Sequence, residues 1–292
     1  MIRLHESCWL VFLLAAGLRA SVFSASPASW PLLLGWLALL SAFVWACRQT
    51  RKDSAIARRW GWAYYPLAMN LAFLLLGPTI KNATTWRADD LLLRVDTYLV
   101  GTNLSHRIEP WISPLLSDVM SFGYMFFMIL LFGSMLFYLL ASPHLERCYH
   151  GLFSVYGLGF LGYTFVPAAG PYVALADRFT TPVHGGWLTA LNEQMVSTGS
   201  NHVDVFPSLH IAVSLFLWLT LLKDYRRLGV LLTPLLVVLW VSTIYLRYHY
   251  SIDLIAGAVL ALGIFWLTAV RKPLSEASDA LAGRHALSRS TD

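Results

Sequence analysis

The sequence predicts an all-α integral membrane protein, a helical bundle of about eight transmembrane helices, on three observations. Hydrophobic residues make up 57% of the 292 residues and charged residues only 13%, about half the charge of an ordinary soluble domain. The 12 Trp, 13 Tyr and 16 Phe suit a chain that crosses the lipid–water interface repeatedly, because aromatic belts collect there. Eight apolar runs divide the chain, most of them close to the length of about 20 residues that crosses a hydrocarbon core.

Taken in order, the first run (8–24) follows Arg3 and has the outline of a signal peptide with a small-residue site at Ser24-Ala25-Ser26. Arg19 interrupts it and a second run starts at Trp30, so it reads as a retained span. The runs 30–47 and 60–80 complete an N-terminal unit, 1–80. An amphipathic connection follows over 81–118. Within it, Trp86 to Leu99 sets Asp89, Asp90, Arg94 and Asp96 among leucines, the pattern of a helix on the membrane surface or capping a bundle. Runs at 119–141, 151–168, 208–222, 228–246 and 250–270 form a third unit, 119–270. Each run must be helical or buried among helices, since lipid satisfies no backbone polar group. The stretch 169–207 carries Pro171, Pro182, Pro207, Gly170, Gly185, Gly186 and Gly199 and reads as a long functional loop. The polar tail 271–292 is expected to be disordered.

Lys and Arg fix the orientation. Fourteen fall in one set of alternate connections and six in the other, so both termini are expected in the cytoplasm, with 81–118 and 169–207 outside. The net charge of +5 follows from this topology and implies no nucleic-acid partner. Cys8, Cys47 and Cys148 are too widely spaced for a CxxC metal or redox pair. Short loops point to a bacterial inner membrane. Asn82-Ala83-Thr84 and Asn103-Leu104-Ser105 also match the short glycosylation pattern.

Ionisable residues at membrane helices are costly and call for a reason. Three segments concentrate them on the outer face: Val166 to Tyr172, Phe206 to His210, and Tyr245 to Asp253. His249 and Asp253 are four apart, so the carboxylate can fix the imidazole tautomer and leave the other nitrogen as nucleophile or base. His210 follows Ser208 at a helix start, where free N–H groups favour an anion. Arg247 adds a forked cation suited to phosphate oxygens. Together these residues make a phosphoryl-transfer site at the membrane surface. The plainer readings are a structural His249–Asp253 lock and an Arg247 topological anchor, and His210, His249 and Asp253 could also ligate zinc. Asp177 and Asp204 read as loop residues, His5, His106, His144, His150, His184, His202 and His285 lack a comparable setting, and Gly257 and Gly263 read as close-packing positions.

At these residues the chain resembles the phosphatidic acid phosphatase type 2 superfamily. Pro207-Ser208-Leu209-His210 matches its Pro-Ser-x-His motif, and His249-Tyr250-Ser251-Ile252-Asp253 its His-x-x-x-Asp motif, in order and with 38 residues between the histidines. Phe206 to His210, the Tyr245-Leu246-x-x-His249-Tyr250-x-x-Asp253 pattern and the Pro-rich Pro167 to Tyr172 look most like the inositol phosphorylceramide synthase branch. The resemblance implies a six-helix core with added N-terminal helices. It also implies that His249 attacks phosphorus to form a phosphohistidine, Asp253 orients it and His210 protonates the leaving group, without metal or cofactor. Ser208, Arg247, Gly170 and Tyr172 would contact the substrate, a phosphorylated lipid, with water or a lipid or polyol hydroxyl as acceptor. The usual first-motif Lys and Arg are missing from 151–172, and Thr243 stands where the third motif has Arg. Arg247, or Lys81, Arg87, Arg94 or Arg178, would then supply the positive charge. A transporter would instead show polar residues at mid-span, and a scaffolding protein would tolerate loss of both histidines.

Overall fold

The computed structural model describes residues 2–22 and 30–270, whose regular elements are all helices, with no strand among them. The eight apolar runs coincide with α1 (Leu4–Val22), α2 (Trp30–Gln49), α3 (Ala55–Ala83), α6 (Pro114–Leu140), α7 (Leu145–Phe165), α10 (Leu209–Asp224), α11 (Arg226–Tyr245) and α12 (Ser251–Phe265). Between them lie α4 (Asp89–Val100) and three further helices, α5 (Leu104–Arg107), α8 (Pro171–Ala174) and α9 (Trp187–Gly199). Five helical segments are long and apolar enough to cross a membrane: α2, α3, α6, α11 and Ser251–Thr268. The others fall short for visible reasons. α10 has 16 residues, α1 carries Glu6 and Arg19, and α7 is diluted by His150, four glycines and three tyrosines.

The order of packing follows from where small residues let helices approach. α1 lies along α7, α2 along α3, and α10 packs between α11, α12 and α7, with α6 closing on α11. The core between α1, α3 and α7 is built of rings, with Trp9, Phe12, Trp62, Tyr65, Phe153 and Phe160 almost completely buried.

Three expectations need correction. The stretch 169–207 is not irregular throughout: it contains the 13-residue α9, whose start is held by Asp118 of α6, accepting from Gly186 N at 2.9 Å and Thr189 N at 3.0 Å. A long-range acid does the work that no local cap could. The fourth run begins at Pro114 rather than 119, since proline's missing N–H is no loss in a first turn. Gly263 faces no neighbour within 4 Å and is not a packing position. The Ser24-Ala25-Ser26 site and the 271–292 tail lie outside the described residues.

Candidate active site

The site forms where α10 and α12 start side by side. Ser208 caps α10, its Oγ accepting from Ile211 N at 3.4 Å, and this sets His210 in the first turn. Ser208 N donates to the Asp253 carbonyl at 3.0 Å. Gly257 makes the approach feasible, because a Cβ there would stand 2.4 Å from the Ser208 carbonyl oxygen. The first two N–H groups of α12, those of Ser251 and Ile252, both donate to Asp96 at 2.9 Å. A carboxylate from α4 thus caps the helix that carries Asp253.

His249 Nδ1–H donates to Asp253 Oδ2 at 3.0 Å, and the two residues are 2% and 0% exposed. A carboxylate accepts only, so this bond holds the proton on Nδ1 and leaves the Nε2 lone pair. Nε2 faces Ser208 Oγ at 3.4 Å and His210 Nδ1 at 3.2 Å. The His210 ring is itself held between Tyr124 and Phe127, with centroids 4.5 Å away in each case. The structure therefore brings His210, His249, Asp253 and Ser208 together.

Both imidazoles end a mainly apolar cavity of about 210 Å³, to which Tyr172, Asn192, Ser200 and Asp204 add polar atoms. Among the described residues no Lys or Arg lines it. Lys81, Arg87, Arg94, Arg178 and Arg247 are all elsewhere. Arg247 has φ +65°, and its guanidinium belongs to a second, more polar cavity of about 360 Å³. There it lies 3.8 Å from the Phe179 ring centroid, donates to the Thr181 carbonyl at 2.5 Å and stands 3.8 Å from Glu109. Burial lowers its pKa, and its geometry is that of a strap on the 179–181 turn. The Glu109 carboxyl is pushed up by burial, but hydrogen bonds from Thr181 and Thr180 and the charge of Arg247 outweigh this and hold it at about 2.

Gly170 and Tyr172 are placed differently from each other. Gly170 has φ +90°, and a Cβ on it would lie 2.5 Å from the Tyr248 carbonyl oxygen, so it serves close backbone approach rather than ligand contact. Tyr172 lines both cavities, its hydroxyl 3.1 Å from His202 Nδ1. Asp204, read as a loop residue, also reaches the cavity. Asn103 is buried and bonds Ser105 N at 3.1 Å, so its glycosylation pattern has no exposed amide. No group of three or more His, Cys, Asp or Glu among the described residues is arranged to hold a metal ion.

Sequence reasoning missed the clasp that α4 makes. Asp89 accepts from Ala169 N at 3.0 Å, Gly170 N at 2.9 Å and the Tyr250 hydroxyl at 3.0 Å, while Asp96 holds the start of α12. Burial pushes the Asp96 carboxyl above its ordinary value despite those two N–H groups. The available signal was spacing: Asp89, Leu92 and Asp96 share one helical face, and they are the buried residues of α4.

A family model described as PAP2 superfamily matches residues 91–267, more than half of the chain. The match runs from α4 to just past α12 and takes in His210, His249 and Asp253, leaving out α1 to α3. No curated protein and no solved structure matches.

Proposed function

The chain belongs to the PAP2 superfamily, and from that premise, which points to phosphatase or phosphotransferase chemistry on phosphorylated substrates, we propose a lipid phosphatase or phosphotransferase with His249 as nucleophile. The observation that carries this is the His249 Nδ1 bond to Asp253, which leaves Nε2 facing His210 at the end of an apolar cavity. Nε2 attacks phosphorus, forming a P–N bond as the P–O bond to the leaving group breaks. His210 gives that oxygen its proton, and Asp253 stabilises the positive imidazole. An acceptor hydroxyl then attacks the phosphohistidine, returning its proton to His210 and freeing His249. Ser208 Oγ and the N–H groups opening α10 are the donors nearest the developing charge.

Two observations favour transfer of a head group over hydrolysis of a phosphomonoester. Without Lys or Arg on the cavity wall, a singly charged phosphodiester is easier to hold than a doubly charged monoester. The second cavity, which shares Tyr172, Asn192 and Tyr248 with the first, offers mixed donors and acceptors suited to a hydroxyl-bearing group, as the likeness to the inositol phosphorylceramide synthase branch implies. The eight helices all span in this reading, with termini in the cytoplasm and the site on the other face.

The test incubates purified protein in detergent with phosphatidic acid, prenyl phosphate and inositol phospholipid, each with and without ceramide and with and without chelator. Free phosphate or a new phosphorylated lipid that disappears with His249→Ala supports the proposal. Equal product from wild type and His249→Ala overturns it.

A further inference from the structure

The cavity that ends at the imidazoles has an apolar wall whose direction is informative. On α6 the lining residues Tyr124, Met125, Phe127, Met128, Leu131 and Phe132 recur with helical spacing, one stripe along one face. From Tyr124, stacked on His210, to Phe132 the stripe rises through eight residue steps, about 12 Å at 1.5 Å per residue. It leads from the site toward the far end of a helix that is itself apolar enough to cross a membrane. α3, another such helix, adds Met69 and Phe73 to the lining, with Asn70 between them. Met128 and Phe132 are 40% and 45% exposed, so the slot opens sideways on the flank that faces lipid.

Four of the seven methionines, Met69, Met125, Met128 and Met195, line this one cavity. Unbranched thioethers adapt to flexible, irregular apolar partners better than branched side chains do. The wall has no cation to attract a free head group, and its sideways opening has no polar rim on α6.

We infer that the slot between α3 and α6 binds a hydrocarbon chain of the phosphorylated lipid, which enters sideways from the membrane and hangs along α6 with its phosphorus at His249. This rests on the lipid reading of the site above. It makes α3, which lies outside the family match, a determinant of chain specificity.

Phosphatidic acid carrying a diazirine in mid-chain is the probe, incorporated with the full-length protein in phosphatidylcholine vesicles, irradiated and mapped by peptide mass spectrometry. Adducts are expected on residues 69–73 and 125–132, at least tenfold above those around Leu34 and Leu37 of α2, which are equally apolar and more than half exposed or close to it. Met128→Trp, which fills the opening, is expected to cut slot labelling at least threefold. Labelling of α2 as strong as that of α6 overturns the inference, with wild type alone sufficient if the variant does not fold. Labelling needs no turnover, so slot adducts without any phosphoryl release would sink the catalytic proposal and leave this one standing. Turnover with evenly spread adducts would do the reverse.

Discussion

Two histidine pairs, each with one buried and one partly buried ring, sit at opposite ends of α7. His5 and His150 stack with centroids 4.6 Å apart, closer than the 5.3 Å between His210 and His249, yet neither ring nitrogen of His5 nor Nε2 of His150 has a partner. Each pair also has a carboxylate nearby in sequence. Asp253 stands four residues after His249 and bonds it. Glu6 is adjacent to His5 and so points to another face of its helix, where it accepts from Arg51 at 2.5 Å and from Arg3 N at 2.9 Å. The His210–His249 pair opens on a cavity, whereas the His5–His150 pair is walled by Trp62 and Tyr65. Nearness of two imidazoles is therefore not what makes a site; a fixed tautomer and access to substrate are.

The sharpest break in this comparison is the same substitution at both ends. His249→Phe removes the proposed nucleophile and is expected to lower kcat by about 10⁴-fold or more, the scale of losing a central catalytic group. His5→Phe keeps a ring in the core and deletes two unpartnered nitrogens, so kcat should stay within about threefold, under 1 kcal/mol, and the Tm should not fall. Parallel turnover and thermal-unfolding assays check both. A large activity loss at His5 would erase the distinction.

Next comes Asp253→Asn, which leaves shape and exchanges an acceptor for an amide that can donate. The amide N–H turned to Nδ1 would move the imidazole proton to Nε2 and bury the lone pair needed for attack. A fall of about 10³–10⁴-fold in kcat with little change in Tm is expected, and ¹⁵N imidazole shifts would report the tautomer directly.

What could be read from sequence divides along the same line. The eight apolar runs were legible as helices, five of them long and apolar enough to cross a membrane, because such a run is itself what drives a membrane helix, and His249 with Asp253 because four residues is about one helical turn. The direction of Arg247 was not, since φ +65° has no signature in a non-glycine residue. The partners of Asp89 and Asp96 were hidden too. They lie 80 and 155 residues away in sequence, beyond the reach of any local period. Bonds of this kind hold the site end together, while ring packing holds the other.

Asp96→Ala tests that difference. It strips the acceptor from two N–H groups at the start of α12, a capping loss of about 1–2 kcal/mol, and it frees the turn that carries His249. Turnover should drop about tenfold or more, as a misplaced reactive group does, and Asp96→Asn, which keeps one acceptor oxygen, should recover part of it. A purely structural cap would lower Tm and leave kcat intact.

Glu109 gives the smallest effect and a pH signature. Hydrogen bonds from Thr181 and Thr180, with Arg247 near, hold its carboxyl at about 2 against an ordinary value of 4.5. A depressed folded-state pKa means that the ionised form favours the folded chain, so its contribution is complete above about pH 5 and fades as pH falls toward 2. Glu109→Gln should thus lower Tm by about 1–3 °C at pH 7, and the two proteins should converge on acidification. The strap ties Arg247 to the 179–181 turn at the second cavity rather than at the imidazoles, so kcat on a substrate lacking a hydroxylated head group should move less than KM on one that has it. Equal effects on both substrates would mean that the second cavity takes no part in recognition.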